Sequence, residues 1–358
     1  MSVSLDANFD AGSLALMLCD AGIVDDPSIV SVRRRLINLQ STSALLVRLL
    51  LTFEDDRQGD MPDTLVLKTA STHPAAAAFA AARGHYRREV RFYRDLAPHC
   101  TARLPQCYAA SLAGDSTAQF HLLLEDCLPG RVQYSSPLGL DHAALGAAVD
   151  WLADFHAQWI CAPKHVAGFV DEGPAWEALG EEDVNDFIHA AGEHLSLEER
   201  RLCREVLAAW PRLGRLSTGP ATLRHGDFHP LNLFFKEQTG VPLVIDWQFC
   251  EIGSGTMDLV DLLCLHCHPQ DRRQLGETLV RRYWQGLCEA GVTGYAWDAC
   301  WENFVIDVAR AVMKPVFLCA IPSLPTWAAI SRFKQASLAF DDLGCRRLLP
   351  LAKGHPHA

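Results

Sequence analysis

The sequence predicts an α+β chain in two parts, a small antiparallel sheet with one main helix followed by a larger, mostly helical part. Three observations predict it. Five short apolar runs surround a single Ala-rich helical stretch before a Pro129-Gly130 break. Beyond that break, apolar residues recur at three- and four-residue spacing, as on Leu145, Ala148, Leu152, Phe155 and Trp159. Between the helical stretches lies one compact hairpin-like segment, Leu223 to Gln248. The expected division is 1–126, a connection over 127–131, and 132–352, with 353–358 as a frayed tail.

Composition sets the bounds. With 358 residues the chain exceeds what one core usually supports, about 250–300 residues, so two lobes or one large domain are expected. Its 49% hydrophobic and 21% charged residues are those of a globular protein. A net charge of −11, from 32 Lys and Arg against 43 Asp and Glu, argues against a nucleic-acid surface. The start, Met1-Ser-Val-Ser-Leu-Asp, lacks a basic segment followed by an apolar one, so no signal peptide is expected. Apolar runs are broken by Arg48, Lys314 or Pro315 well short of the ~20 residues of a membrane span. Thirteen scattered cysteines suit reduced thiols and a cytoplasmic location.

In chain order, Ala11–Asp20 reads as a helix. Val32 to Phe53 reads as two strands joined by Gln40-Ser41-Thr42-Ser43, with Arg33-Arg34-Arg35 on a solvated face. A polar turn over Glu54 to Asp63 leads to a strand from Thr64 that carries Lys68 near its end. A helix of strong propensity is expected from the Ala-rich run after Ser71 through Tyr93, with Glu89 beside its packing face. There the Glu89 carboxylate can pair with Lys68 and aim it at phosphate; the plainer reading is local pairing with Arg87, Arg88 and Arg91. Strands over Gln106–Leu112 and Gln119–Leu124 complete the sheet.

The second part opens with the helix Asp141 to Trp159, on which His156 is expected to pack. From Asp171 to Phe187 there are seven acids and no Lys or Arg. That pattern fits acid-rich helix starts in solvent, or an acidic rim with Trp176 for a cationic substrate. Ser196 with Glu199 three residues on is a capping-box pattern opening a helix to Leu213. After the central segment a helix starts near Gly253, with Asp258 able to brace the preceding loop. Cys264 and Cys267 read as buried thiols rather than a zinc pair, since no second ligand pair has suitable spacing. Helices are expected over 270–290, 295–320 and 325–340, with Trp297 and Trp301 in packing or against a substrate.

The central segment carries the chemistry. It runs L-R-H-G-D-F-H-P-L-N-L-F-F, a polar turn, then V-P-L-V-I-D-W-Q. Asp227, Asn232 four residues beyond the intervening Phe228, and Asp246 after the next strand follow the D-x-x-x-x-N…D order of phosphoryl-transfer loops. Asp227 would accept the proton of an attacking hydroxyl. Asn232 and Asp246 would hold Mg²⁺, which favours oxygen donors. Lys68, fixed by Glu89, would steady nucleotide phosphates. The rival H-x-D-x-H reading, with His225 and His229 as metal ligands of a hydrolase, leaves Asn232, Asp246, Lys68 and Glu89 without a role.

H-G-D-F-H-P-L-N-L, V-I-D-W-Q and G-S-G-T-M-D-L together resemble the aminoglycoside phosphotransferase and choline kinase-like family, with the flavour of its ecdysteroid-kinase-like branch. Lys68, Glu89-x-x-Phe92-Tyr93 and Trp151-Leu-Ala-Asp-Phe-His156-Ala also match, over about Val32 to Leu263. The resemblance implies a bilobal protein-kinase-like fold, ATP or GTP with Mg²⁺, and a small-molecule hydroxyl as acceptor. It implies Ser41, Thr42 and Ser43 as the phosphate loop, in place of a G-x-G-x-x-G motif. It also implies that backbone near Asp126–Leu128, with Glu125 and Cys127 as contact residues, meets the base. The alternatives are a nucleotide-binding module without catalysis or, within the enzyme class, an antibiotic phosphotransferase. The acceptor's identity and the oligomeric state stay open at this level.

Overall fold

A computed structural model describes residues 9–22, 29–38, 43–53, 62–112, 120–166, 169, 179–236 and 240–349. Helix α1 (Ala11–Asp20) starts at Asp10, whose carboxylate accepts from the Ser13 amide at 2.8 Å. Strands β1 (Ile29–Asn38), β2 (Ala44–Phe53) and β3 (Thr64–Ala70) pair antiparallel in sequence order. β1 is an edge strand, and Arg33, Arg34 and Arg35 are exposed along it, as a solvated face requires. Leu14 and Leu18 of α1 close a small core with Leu45, Val47, Leu49, Leu65, Leu67 and Leu123.

The single helix expected from Ser71 to Tyr93 is two. α2 (Pro74–Ala82) and α3 (His85–Arg91) are parted at Gly84, which takes a left-handed φ of 69°. The backbone then widens into a π turn over Phe92–Leu96. The break re-aims α3, so that Glu89 faces the sheet and is buried. Strands β4 (Cys107–Ser111) and β5 (His121–Glu125) complete the five-stranded order β1-β2-β3-β5-β4.

Beyond Gly130 come β6 (Arg131–Gln133), α4 (His142–Cys161, capped by Asp141), α5 (Glu181–Ala191) and α6 (Leu197–Leu216). Glu181, Glu182 and Asp183 occupy the first turn of α5, where the helix dipole favours them; residues 170–178 of the acidic stretch lie outside the described residues. The Ser196–Glu199 capping box forms, at 2.8 and 3.2 Å. Short strands β7 (Ala221–Arg224), β8 (Leu233–Lys236), β9 (Pro242–Val244) and β10 (Glu251–Ser254) make two small sheets, β10-β7 and β6-β8-β9. They bracket the central segment, whose β8–β9 hairpin is the one expected from sequence.

α7 (Thr256–Val260) runs into a second π turn, Asp261–Leu265, followed by α8 (Pro269–Glu289). The expected 295–320 helix is also two. α9 (Trp297–Ala311) and α10 (Lys314–Cys319) are separated because Pro315 fits a first turn and not a helix interior. α11 (Thr326–Asp342) closes the described chain's last long helix. Trp297 lies against Trp301 at 5.8 Å, and Trp301 against Phe304 at 5.6 Å, so this pair packs. One large apolar core joins Tyr86, Val90 and Phe92 of the first part to α4, α7, α9 and α11. The thirteen cysteines are free, with Cys264 and Cys267 buried. Among the described residues no helix is long and apolar enough to cross a membrane.

Candidate active site

The loop after β7 is fixed from behind. Asp258, fully buried, accepts from the backbone amides of His225 at 2.6 Å and Gly226 at 2.9 Å. Asp258 also meets His156 Nε2 at 3.2 Å, and His156 Nδ1 meets the Tyr283 hydroxyl at 2.9 Å. Burial alone would raise the Asp258 carboxyl, but His156 and the Gly226 amide hold it below its ordinary value. Gly226 has φ +80°, and a Cβ there would collide with the Phe249 carbonyl oxygen. Only glycine makes this turn.

Asp227 emerges from that turn with its side chain 17% exposed. One carboxylate oxygen meets His229 Nε2 at 3.2 Å; the other accepts from Lys314 Nζ, also at 3.2 Å. Burial would raise its pKa, yet His229 and Lys314 hold it well below the usual carboxylate range. Asn232 donates its Nδ2 to the Asp227 carbonyl at 3.0 Å. That bond orients the amide and engages its Nδ2 rather than its Oδ1 oxygen. His225 is a prop: Nε2 lies 2.8 Å from the Ile245 carbonyl and Nδ1 accepts from the Asp227 amide at 3.2 Å. With both ring nitrogens used, the H-x-D-x-H metal cluster does not form.

Asp246, just past β9, adopts φ 69° and ψ 64°, the one positive-φ non-glycine residue among those described. A left-handed aspartate costs on the order of 1 kcal/mol and persists where its surroundings over-determine it. Here Ile245 N donates to the Asn232 carbonyl at 3.0 Å, and Lys68 Nζ meets Asp246 Oδ1 at 2.7 Å. The same ammonium lies 2.9 and 2.7 Å from the two Glu89 oxygens. Burial would lower the Lys68 pKa, but Asp246 and Glu89 raise it above its ordinary value, so it stays charged. Burial and the Asp246 carboxylate push Glu89 up to about 7, against the pull of Lys68. Thus Lys68, Glu89 and Asp246 form one cluster, Asp227 and Asn232 another, and Ile245 ties the two.

Trp247 stacks on Phe92 of the π turn with centroids 3.8 Å apart. Gln248 accepts from the Ser43 hydroxyl at 2.6 Å and from Arg88 at its carbonyl at 2.9 Å. Ser43, expected in the phosphate loop, is therefore buried and committed to Gln248; Ser41 and Thr42 lie outside the described residues. The Glu125 carboxylate is held by Arg103 and Arg131, both at 3.0 Å, and the Cys127 thiol is buried against the Glu125 carbonyl at 3.6 Å. Both side chains are thus already engaged within the protein.

Sequence reasoning missed Lys314. It is 4% exposed and donates to both Asp261 oxygens at 2.7 Å and to the Gly226 carbonyl at 2.8 Å, besides Asp227. The only local signal was a lysine interrupting the otherwise uncharged run from Ala311 to Ile321, and nothing in it points to the loop. Asp261, at the head of the second π turn, is buried; burial pushes its carboxyl up to about 7 in spite of Lys314.

The profile of the phosphotransferase enzyme family, APH, matches residues 50–311. Solved structures share the fold. An aminopropanol kinase associated with a microcompartment is 17% identical, with 91% of this chain and 95% of that one aligned at a TM-score of 0.54. A candidate aminoglycoside phosphotransferase of Ralstonia eutropha JMP134 is 14% identical, with 95% and 99% covered at 0.54. The choline kinase LicA of Streptococcus pneumoniae is 12% identical, with 87% and 94% covered at 0.52. No curated protein matches by sequence. The fold is bilobal and protein-kinase-like, and the protein is a small-molecule phosphotransferase. The chain belongs to the APH phosphotransferase family.

Proposed function

We propose that the protein transfers the γ-phosphoryl group of ATP (or GTP) to a hydroxyl of a small molecule. The observation that supports this best is the Lys68 ammonium shared between Glu89 and Asp246, 178 residues apart from Lys68 to Asp246, in a cluster tied to Asp227 and Asn232 by the Ile245–Asn232 backbone bond. On this reading 1–126 is the nucleotide lobe, 127–131 the hinge, and 132–352 the catalytic and acceptor lobe. The free thiols suit a reducing cytoplasm.

Asp227, ionised at neutral pH, accepts a hydrogen bond from the acceptor hydroxyl and orients it. The acceptor oxygen bonds to the γ-phosphorus, the bond from that phosphorus to the β-phosphate's bridging oxygen breaks, and the hydroxyl proton passes to Asp227. Little covalent help is required, because this chemistry depends on positioning and on neutralising phosphate charge. Lys68 supplies a fixed cation on the nucleotide side. Asn232 Oδ1 and the Asp246 carboxylate, 29% exposed, are hard oxygen donors that fit Mg²⁺. When bound, that ion would neutralise phosphate charge.

The test is Mg²⁺-dependent transfer from ATP across aminoglycosides, macrolides, choline, sugars and sterols. Asp246→Asn is expected to raise the Mg²⁺ concentration needed for half-maximal rate by about 10-fold or more, in line with loss of one charged ligand. An unchanged Mg²⁺ dependence would remove Asp246 from the proposed ligands. Nucleotide binding with no transfer to any acceptor or to water would favour a catalytically silent module.

A further inference from the structure

Beside Asp227 stands a wall of basic and neutral nitrogen groups. His229 meets Asp227 at 3.2 Å and its ring faces that of His266 with centroids 4.7 Å apart. His266 Nδ1 donates to the Asp261 carbonyl at 2.8 Å, which leaves its Nε2 lone pair to accept from Arg332 Nε at 3.1 Å. Arg332, on α11, also donates from Nη1 to the Ala328 carbonyl at 3.2 Å. The bonds of this guanidinium therefore go to neutral acceptors, and among the described residues it has no carboxylate partner. Its nearby acids, Asp227 and Asp261, are both held by Lys314. Arg332 is half-buried, and burial lowers its pKa. His229 Nδ1 is buried without a partner.

A half-buried guanidinium bonded only to neutral acceptors gains from an arriving anion. The arriving anion could be the transferred phosphoryl group or part of the acceptor. Arg332 reaches Asp227 through two imidazole rings, His266 and His229, whereas the lysine assigned to the nucleotide bonds to Glu89 and Asp246. That separation suits the acceptor. A cationic amino alcohol would instead meet Arg332 and Lys314, with both nearby carboxylates already taken. Resting on the phosphotransfer reading, we propose that the acceptor carries an anionic group, a carboxylate or phosphate, docked on Arg332 while its hydroxyl lies at Asp227.

The test uses probes matched in skeleton and differing in charge: glycerate, glycerol and 3-amino-1,2-propanediol, then gluconate, glucose and glucosamine. ADP release is measured above the acceptor-free rate. Binding is read in parallel as the melting shift each probe induces in protein loaded with a non-hydrolysable ATP analogue. Acids are expected to bind or react about 10-fold better than their neutral partners, the scale of one charge-assisted bidentate contact. In Arg332→Gln the acid-to-neutral ratio should fall by about the same factor through KM rather than kcat, with partial recovery in Arg332→Lys. Amines equal to or better than acids, or a ratio unmoved by Arg332→Gln while the KM for MgATP rises, would overturn the inference. Absence of both nucleotide binding and ADP release in the wild type would instead contradict the phosphotransfer reading itself.

Discussion

Lys314 shows how much one residue can connect. Its ammonium bridges Asp227, Asp261 and the Gly226 carbonyl, so it neutralises the candidate base and anchors the loop from a different helix. Removing one partner of a buried ion pair leaves the other unpaired, at a cost of about 3–5 kcal/mol. Lys314→Met is therefore expected to destabilise by that order in urea unfolding. Asp261→Asn combined with Lys314→Met should cost clearly less than the sum of the singles, as coupled neighbours do. Strict additivity would show that the two do not act as a unit. Asp227, Asn232, Asp246, Lys68 and Glu89 were legible because their residue types and order follow from phosphoryl-transfer chemistry. Lys314, Asp261 and Arg332 were not, since nothing local ties them to the loop; packing of α10, α11 and the π turn alone brings them there.

At the scale of elements, legibility followed the strength of local signals. The Ser196–Glu199 box, the Asp141-capped α4 and the β8–β9 hairpin formed where capping and alternation placed them. The two long helices that were expected whole broke at Gly84 and before Pro315, where high apolar content masked the breakers. Both breaks matter to the site: one turns Glu89 toward Lys68, the other starts α10 at Lys314. The β7 loop depends on its glycine in the same way. Gly226→Ala would force a Cβ into the Phe249 carbonyl in a backbone region alanine disfavours, a strain of on the order of 1–3 kcal/mol before any clash. A lowered urea midpoint is expected, with phosphotransfer reduced more than in a destabilised variant distant from the loop. Wild-type stability in Gly226→Ala would show that the turn is not under this constraint.

Across the whole molecule, the site is a meeting of separately stabilised parts. Lys68 comes from the five-stranded sheet, Glu89 from α3, Asp227 and Asp246 from loops of the small sheets, and Lys314 and Arg332 from the closing helices. The network behind them, Tyr283–His156–Asp258 to the loop amides, should register in global stability against pH. Asp258 is held below its ordinary value of 3.8, so its contribution is present above that pH and lost as pH falls through the folded-state value. The melting temperature should drop as pH falls below about 4, and Asp258→Asn should flatten that slope while lowering stability at neutral pH. An unchanged slope in the variant would remove Asp258 from the acid transition.

Transfer of label from γ-labelled ATP, in Mg²⁺, to a hydroxylated small molecule tests the central claim most directly, with wild type and Asp227→Ala compared on the same acceptor. The account predicts a labelled organic product from the wild type and a rate lowered by about 10²–10⁴-fold in Asp227→Ala, the usual loss of a general base. Equal rates from the two proteins would contradict it.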